Sequence, residues 1–477
     1  MSRPNIIFVI TDDHTVRELS CYGNEVLHTP NMDRLAAEGT RFANTFCTNA
    51  LCAPARATVL TGAYSHVHGI YGNSERADAV ENLDPQVPTF PELLRQAGYA
   101  TGLVGKYHIR QNPRGFDHWC IHPGQGEYFD PVYIRNGRRV QKKGYATDIT
   151  TDLALEYLES VDKNRPFCLV YQFKAPHRPF TPAPRHRALF EALEIPEPAT
   201  YDDDYRSRRV AAEAADMQFD LSLAGDYEDL PEGLSREERK RWIYQRFTRD
   251  RYRTIYGVDE NLGRVLDFLD ERDLSEDTLI IYTSDHGYFL GEHGWYDKRF
   301  MYEPALRIPL LARYPRLGAA GHVATELVAN IDFAPTILDL AGVAPPASAQ
   351  GRSLRPLLEG HSPQDWRQSV YYAYYENSWE LQGRGEEAMA EPYRYFTPHR
   401  IGPHRGVRTQ RYKLIDYYGE GDYWELFDLQ EDPDERHNLY GDPRHGATIT
   451  ALKEELGRLR QEYRDGDRAA AGGGPPS

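Results

Sequence analysis

Asn5-Ile6-Ile7-Phe8-Val9-Ile10-Thr11-Asp12-Asp13 opens the chain with an unbroken apolar run that passes straight into a threonine and two carboxylates. A run this short, closed by polar residues, reads as a strand buried on both faces. Three more segments repeat the pattern. Ala100-Thr101-Gly102-Leu103-Val104 ends at Gly105-Lys106-Tyr107-His108, and Cys168-Leu169-Val170-Tyr171-Gln172-Phe173 leads to Lys174-Ala175-Pro176-His177. Thr278-Leu279-Ile280-Ile281-Tyr282-Thr283 leads to Ser284-Asp285-His286-Gly287. Helical patterns over 29–38, 87–97, 148–161 and 252–270 alternate with these runs. The alternation predicts an α/β fold of βαβ units on a mostly parallel sheet flanked by helices. Such sheets gather function beyond the carboxyl ends of their strands, so the four polar ends are expected to meet in one site.

Composition bounds the function. At 477 residues the chain is too long for one ordinary core, which predicts a large domain and a smaller one. No apolar run is long enough to span a bilayer, so no membrane partner is expected. The net charge of −16 argues against a nucleic-acid partner, because phosphate backbones require a basic footprint. A local cluster of Arg, Lys, His and metal can still hold a small anion in an acidic protein, since near charges outweigh screened distant ones. The five cysteines, Cys21, Cys47, Cys52, Cys120 and Cys168, form no CxxC pair and fit a reducing compartment. The first apolar run is too short for a signal peptide, and the expected location is cytoplasmic.

Residues 202–253 are highly charged and helical in character, with Ser235-Arg236-Glu237-Glu238 offering a helix start; they read as an insertion beside the sheet. A Pro/Ala-rich stretch through Pro345, Pro346 and Gly351 separates a catalytic domain over 1–365 from a smaller α+β domain over 366–465. Runs at 370–374, 405–409, 412–415 and 424–428 predict a small antiparallel sheet in that domain, closed by a helix over 449–463. The Ala/Gly/Pro-rich tail, 466–477, is expected to be disordered.

Two constellations carry chemistry. Cys52-Ala53-Pro54-Ala55-Arg56 lies where a polar loop enters a helix, so Cys52 would sit at a helix N-terminus that favours anions, with Arg56 adding a fork suited to tetrahedral oxyanions. Asp12, Asp13, Asp285 and His286 offer three carboxylates and an imidazole to a divalent cation. Histidine is an unusual calcium ligand and suits manganese or zinc better, so this chemistry leaves the ion open.

The Cys-x-Pro-x-Arg segment resembles the sulfatase signature, in which the cysteine is oxidised to formylglycine. The resemblance extends to Asp12-Asp13, Gly105-Lys106-Tyr107-His108, Pro176-His177, Asp285-His286, Asp297-Lys298 and Glu425-Leu426-Phe427-Asp428-Leu429, in order across nearly the whole chain. It implies an alkaline-phosphatase-like, mixed and mostly parallel sheet, and calcium as the usual ion. Asp12, Asp13, Asp285, His286 and the modified Cys52 would coordinate that ion. Arg56, Lys106 and Lys298 would stabilise the sulfate oxygens, His177 would protonate the leaving alcohol, and His108 would take the proton that lets sulfate depart. A formylglycine-generating maturation enzyme is then an implied partner. Segments 115–131 and 403–409 look like bacterial glycan sulfatases of the N-acetylglucosamine-6-sulfatase type, which makes Tyr128 and His404 candidate substrate residues, with the smaller domain bordering the pocket mouth and presenting His404 to the sugar. The implied activity is removal of sulfate from a sulfated sugar or similar small ester. Phosphonate or phosphate monoester hydrolysis on the same site, and non-catalytic binding of a sulfated ligand, are the alternatives.

Overall fold

The computed structural model describes residues 3–73, 81–214, 217–376, 401–418 and 421–466. Its first strands in chain order are β1 (Asn5–Thr11), β2 (Thr40–Phe46), β3 (Ala100–Gly105), β4 (His118–Ile121), β5 (Val132–Arg135) and β6 (Arg138–Gln141). β7 (Phe167–Gln172), β8 (Thr278–Ser284), the short hairpin of β9 (Phe289–Leu290) and β10 (Tyr296–Asp297), β11 (Leu310–Arg313) and β12 (His322–Ala329) follow. Apart from the hairpin they form one ten-stranded sheet in the order β12-β2-β11-β8-β1-β7-β3-β4-β5-β6. β1 runs parallel to both β7 and β8, and β3 parallel to β7 and β4. Antiparallel pairs enter at β11 and at β5 and β6. The four strands predicted to converge are therefore the adjacent strands β8-β1-β7-β3.

Register makes their ends level. Thr11 stands opposite Ser284, and Gln172 opposite both Ile10 and Gly105. The residues that follow, Asp12, Asp285, Lys106 and Phe173-Lys174, thus leave the sheet at one edge. Ile6, Phe8 and Ile10 pack into one hydrophobic cluster while Ile7 and Val9 pack into another, as a period of two requires. All five are fully buried. At about 1.5–3 kcal/mol per side chain, this burial anchors a strand whose end carries two charges.

The charged segment does not end near residue 253. One helix spans Arg236–Glu271, and it starts at the expected segment with a capping box: the Glu238 N–H donates to Ser235 Oγ (3.2 Å) and the Ser235 N–H to Glu238 Oε2 (2.9 Å). No proline interrupts it, and its buried stripe continues from Ile243 and Phe247 through Ile255, Val258, Leu262, Leu266 and Leu269. The first part packs on Phe180, Phe219 and Tyr288, and the second on the sheet. Charge on the solvated face hid that continuity from the sequence.

A second, antiparallel sheet runs in chain order through β13 (Ser369–Tyr374), β14 (His404–Thr409), β15 (Tyr412–Asp416) and β16 (Trp424–Asp428), with a helix at Gly446–Tyr463. Tyr372, Val407, Leu414 and Leu426 belong to the same hydrophobic cluster as Ala53, Ala57 and Leu60 of the helix Cys52–Thr61, and the Tyr372 hydroxyl accepts from the Ala50 N–H (3.1 Å) just before that helix. The expected disordered tail falls, from residue 467 onward, outside the described residues. No described helix is long and apolar enough to cross a membrane.

Asp332 joins the two sheets. Its buried carboxylate accepts both Arg367 nitrogens (2.5 Å each) and the N–H groups of Ala329 and Arg352 (2.8 Å each). Arg367→Met would strand that charge in a dry site and is expected to cost about 3–5 kcal/mol. Arg264→Ala removes an exposed pair with Asp152 and a bond to Asn261 Oδ1 (2.9 Å), strands no charge in a dry site, and is expected to cost about 0–1 kcal/mol. Urea unfolding midpoints of the two variants measure the contrast.

Candidate active site

Cys52 is the first residue of the helix Cys52–Thr61, every residue of which is buried. Its Sγ lies 3.4 Å from Asp12 Oδ1, 3.4 Å from His286 Nε2 and 3.5 Å from Lys298 Nζ. Burial pushes the thiol up to about 12, although Lys298 pulls it down. As a thiol it stays protonated and is a poor nucleophile.

The four predicted cation ligands come together around it. Asp12, Asp13, Asp285 and His286 are between 0 and 1% exposed. His286 Nε2 is 3.4 Å from Asp13 Oδ1 and 3.5 Å from Asp285 Oδ1, while its Nδ1 donates to the Gly287 carbonyl (2.9 Å). That bond leaves the Nε2 lone pair facing the carboxylates, the tautomer a ligand needs. One ligand atom each from Asp12, Cys52, Asp285 and His286 fit within 4.8 Å of one another, and so does a second set of Asp12, Asp13, Cys52 and His177. His177 joins that group although its sequence gave it only an acid role. Burial works to raise the Asp285 carboxyl, yet the cationic Arg56, Lys106 and Lys298 hold it well below the usual carboxylate range.

Basic groups interleave with the acids. Lys106 Nζ touches Asp12 Oδ2, and Lys298 Nζ donates to Asp13 Oδ1 at 2.5 Å. Gly105 makes the first contact possible: its φ is +105°, and a Cβ there would lie 1.7 Å from the Gln172 carbonyl oxygen. Arg56 is fully buried and donates to Asp285 Oδ2 (3.0 Å), the Lys106 carbonyl (2.5 Å) and Gln172 Oε1 (2.6 Å). It ties the ends of β8, β3 and β7 together, with most of its fork engaged by protein.

His177 turns Nε2 toward Asp13 Oδ2 (3.9 Å) and donates Nδ1–H to the Arg178 carbonyl (2.8 Å). Burial, with Lys106, Lys298 and Lys174 nearby, holds its imidazole well below its usual value, so the ring is neutral at neutral pH. Burial and the charge of Lys106 lower His108 in the same way.

The two candidate substrate residues are both buried. Tyr128 is buried behind His177: its hydroxyl donates to the His177 carbonyl (2.7 Å) and its ring lies 5.0 Å from Lys174 Nζ. His404 is not at a pocket mouth. It is fully buried among the rings of Tyr372, Tyr374 and Tyr417, with Nδ1 donating to the Gly402 carbonyl (3.0 Å). Tyrosine-rich β13 covers it, a packing that local sequence does not reveal. Conversely, sequence gave no role to Gln172, the partner of Arg56, or to Lys174, whose Nζ donates to the Gln125 (3.2 Å) and Arg178 (3.3 Å) carbonyls. The signal for both was a polar side chain at the end of an otherwise apolar strand.

The sulfatase family profile matches residues 4–343. The chain belongs to the sulfatase family. Residues 380–462 of this sulfatase match the profile of the N-sulphoglucosamine sulphohydrolase C-terminal region. The chain is similar to the N-acetylglucosamine-6-O-sulfatase of Bacteroides thetaiotaomicron, at 42% identity over 98% of this chain and 88% of that protein. It is also similar to human N-acetylglucosamine-6-sulfatase, at 28% identity over 78% of this chain and 67% of that one. A solved structure of a relative with its substrate D-glucosamine-2-N,6-O-disulfate matches with a TM-score of 0.88 at 40% identity, covering 98% of this sulfatase and 99% of that chain.

Gln172→Leu would leave a buried Arg56 nitrogen short of a charge-assisted partner. Such a bond is worth about 1.5–3 kcal/mol, so sulfate-ester turnover is expected to fall by about ten- to a hundredfold in kcat/KM, with the circular dichroism spectrum unchanged.

Proposed function

We propose that this sulfatase hydrolyses the 6-O-sulfate ester of a glucosamine-type sugar, using formylglycine formed from Cys52 and a divalent cation. Calcium is the first choice of ion, with manganese or another divalent ion as the alternative. The observation that carries the reading is the place of Cys52, whose Sγ stands 3.4–3.5 Å from a carboxylate, an imidazole and an ammonium group in one buried cluster. The substrate class is supported by the relatives named for N-acetylglucosamine-6-sulfate chemistry, above all the one that aligns over nearly the full chain.

The residues fit a cation. Asp12, Asp13, Asp285 and His286 would hold it with the modified residue 52, three hard carboxylates matching a hard ion. When bound, the cation supplies Lewis-acid polarisation, and the hydrated aldehyde supplies the attacking hydroxyl. Charge explains the preference for an anion. Asp12, Asp13 and Asp285 are opposed by Arg56, Lys106 and Lys298 in direct contact, which is close to neutral; a divalent ion makes the cluster positive. Lys106 and Lys298 would hold the ester oxygens, while Arg56 keeps Asp285 and the Lys106 carbonyl in place. His177 gives a proton from Nε2 to the leaving alcohol, and an anionic ester beside it favours the imidazolium this transfer needs. His108 takes the proton that accompanies release of sulfate.

Because Cys52 is fully buried in the folded chain, the maturation enzyme would act before folding is complete. In protein made with that enzyme, mass spectrometry of the Cys52 peptide is expected to show formylglycine, and Cys52→Ala to abolish turnover. Fully active protein with only unmodified cysteine would end this reading. Chelation is expected to remove activity and calcium or manganese to restore it. On substrate, kcat/KM is expected to be highest for N-acetylglucosamine-6-sulfate or glucosamine-2-N,6-O-disulfate; a higher value on the paired phosphonate ester would transfer the assignment to phosphonate hydrolysis.

A further inference from the structure

Asp12 and Asp13 are consecutive, and consecutive residues of an extended strand point to opposite faces. Both nevertheless reach the same cluster, because Asp13 leaves the strand with a left-handed backbone, φ +67°. This conformation is uncommon for any residue but glycine, and something must hold it. The peptide groups flanking Asp13 are gripped. Its N–H donates to Asp285 Oδ1 (3.2 Å), its carbonyl accepts Arg251 Nη2 (2.6 Å), and the next N–H, of His14, donates to Ser284 Oγ (2.9 Å).

Arg251 comes from the middle of the helix Arg236–Glu271 and is fully buried. The same guanidinium donates Nε–H to Glu18 Oε1 (2.8 Å) and Nη2–H to Glu18 Oε2 (2.7 Å), so the segment from Asp13 to Glu18 closes around it. Tyr288, two residues after His286, lies 4.4 Å from the guanidinium carbon, and Phe180 and Phe247 complete an aromatic cage at 5.6 Å each. A buried ion pair is a poor source of stability, since apolar residues of the same shape do as well or better. What this pair adds is a donor aimed at one carbonyl. Glu18 also cancels the arginine charge, which would otherwise repel a cation held by the adjacent carboxylates.

We propose that Arg251, neutralised by Glu18, is a positioning residue for the cation site: it fixes the Asp13 carbonyl so that two consecutive carboxylates face one ion. The proposal rests on the cation reading above. Calcium affinity by titration calorimetry and the melting temperature of the metal-free protein test it in wild type, Arg251→Lys and the double variant Glu18→Gln/Arg251→Met. The double variant keeps the cage filled and removes both buried charges, so it decides the matter if Arg251→Lys does not fold. Both variants are expected to bind calcium about 10–100-fold more weakly, the usual cost of losing a group that orients a ligand, and the double variant to melt within a few degrees of wild type. Arg367→Met, at the joint between the sheets, is expected to lower the melting temperature without changing calcium affinity.

Wild-type affinity in a folded variant would overturn the proposal, as would an equal loss of affinity in Arg367→Met. If the wild type itself binds neither calcium nor manganese, the cation reading fails first and this inference with it.

Discussion

Three carboxylates buried within a few ångströms of one another set the terms for the rest of this structure. Two such charges 4 Å apart repel by about 4 kcal/mol at an effective dielectric of 20, and water is not there to screen them. Asp12, Asp13 and Asp285 persist together because Lys106, Lys298 and Arg56 interleave with them. Each base arrives on a different element: the end of β3, the loop after β10 and the helix Cys52–Thr61. The balance exists only when all these elements are docked, so the site forms as one unit with the fold.

That requirement explains the scaffold's shape. Parallel pairing of β8, β1, β7 and β3 brings four chain segments to one edge at one height, something antiparallel neighbours joined by hairpins could not do with the same direction of exit. Below the charges the sheet is apolar on both faces, and above them the helix N-terminus closes the cluster. Outside this layer lie groups that reach the cluster through another residue: Gln172 on Arg56, Tyr128 on the His177 carbonyl, Arg251 on the Asp13 carbonyl. The small C-terminal sheet contributes at one further remove: its Tyr372 hydroxyl accepts from the Ala50 N–H (3.1 Å), two residues before the helix that begins at Cys52.

Apolar runs with polar ends fixed the strands, their parallel arrangement and the membership of the cluster, because those features are local in sequence: a run of buried residues must be followed by a turn, and the turn carries the chemistry. Asp12, Asp13, Asp285, His286 and Lys106 were legible in that way, Cys52 in the segment where a loop enters a helix, and Lys298 only through the resemblance to a family. The long helix was misjudged at residue 253, where charge on its solvated side masks a continuous buried stripe. His404 was misplaced because the ring next to a strand residue depends on the neighbouring strand, and β13 supplies tyrosines there. The sequence by itself therefore determined which polar residues gather at one edge of the sheet and which strands deliver them. Tertiary structure alone decided their orientation: the left-handed turn at Asp13, the engagement of Arg56 with Gln172 and the clamp from Arg251. Each depends on a hydrogen bond to a partner distant in sequence, 116 residues away for Arg56 and Gln172 and 238 for Arg251 and Asp13, and no local pattern encodes a bond of that span.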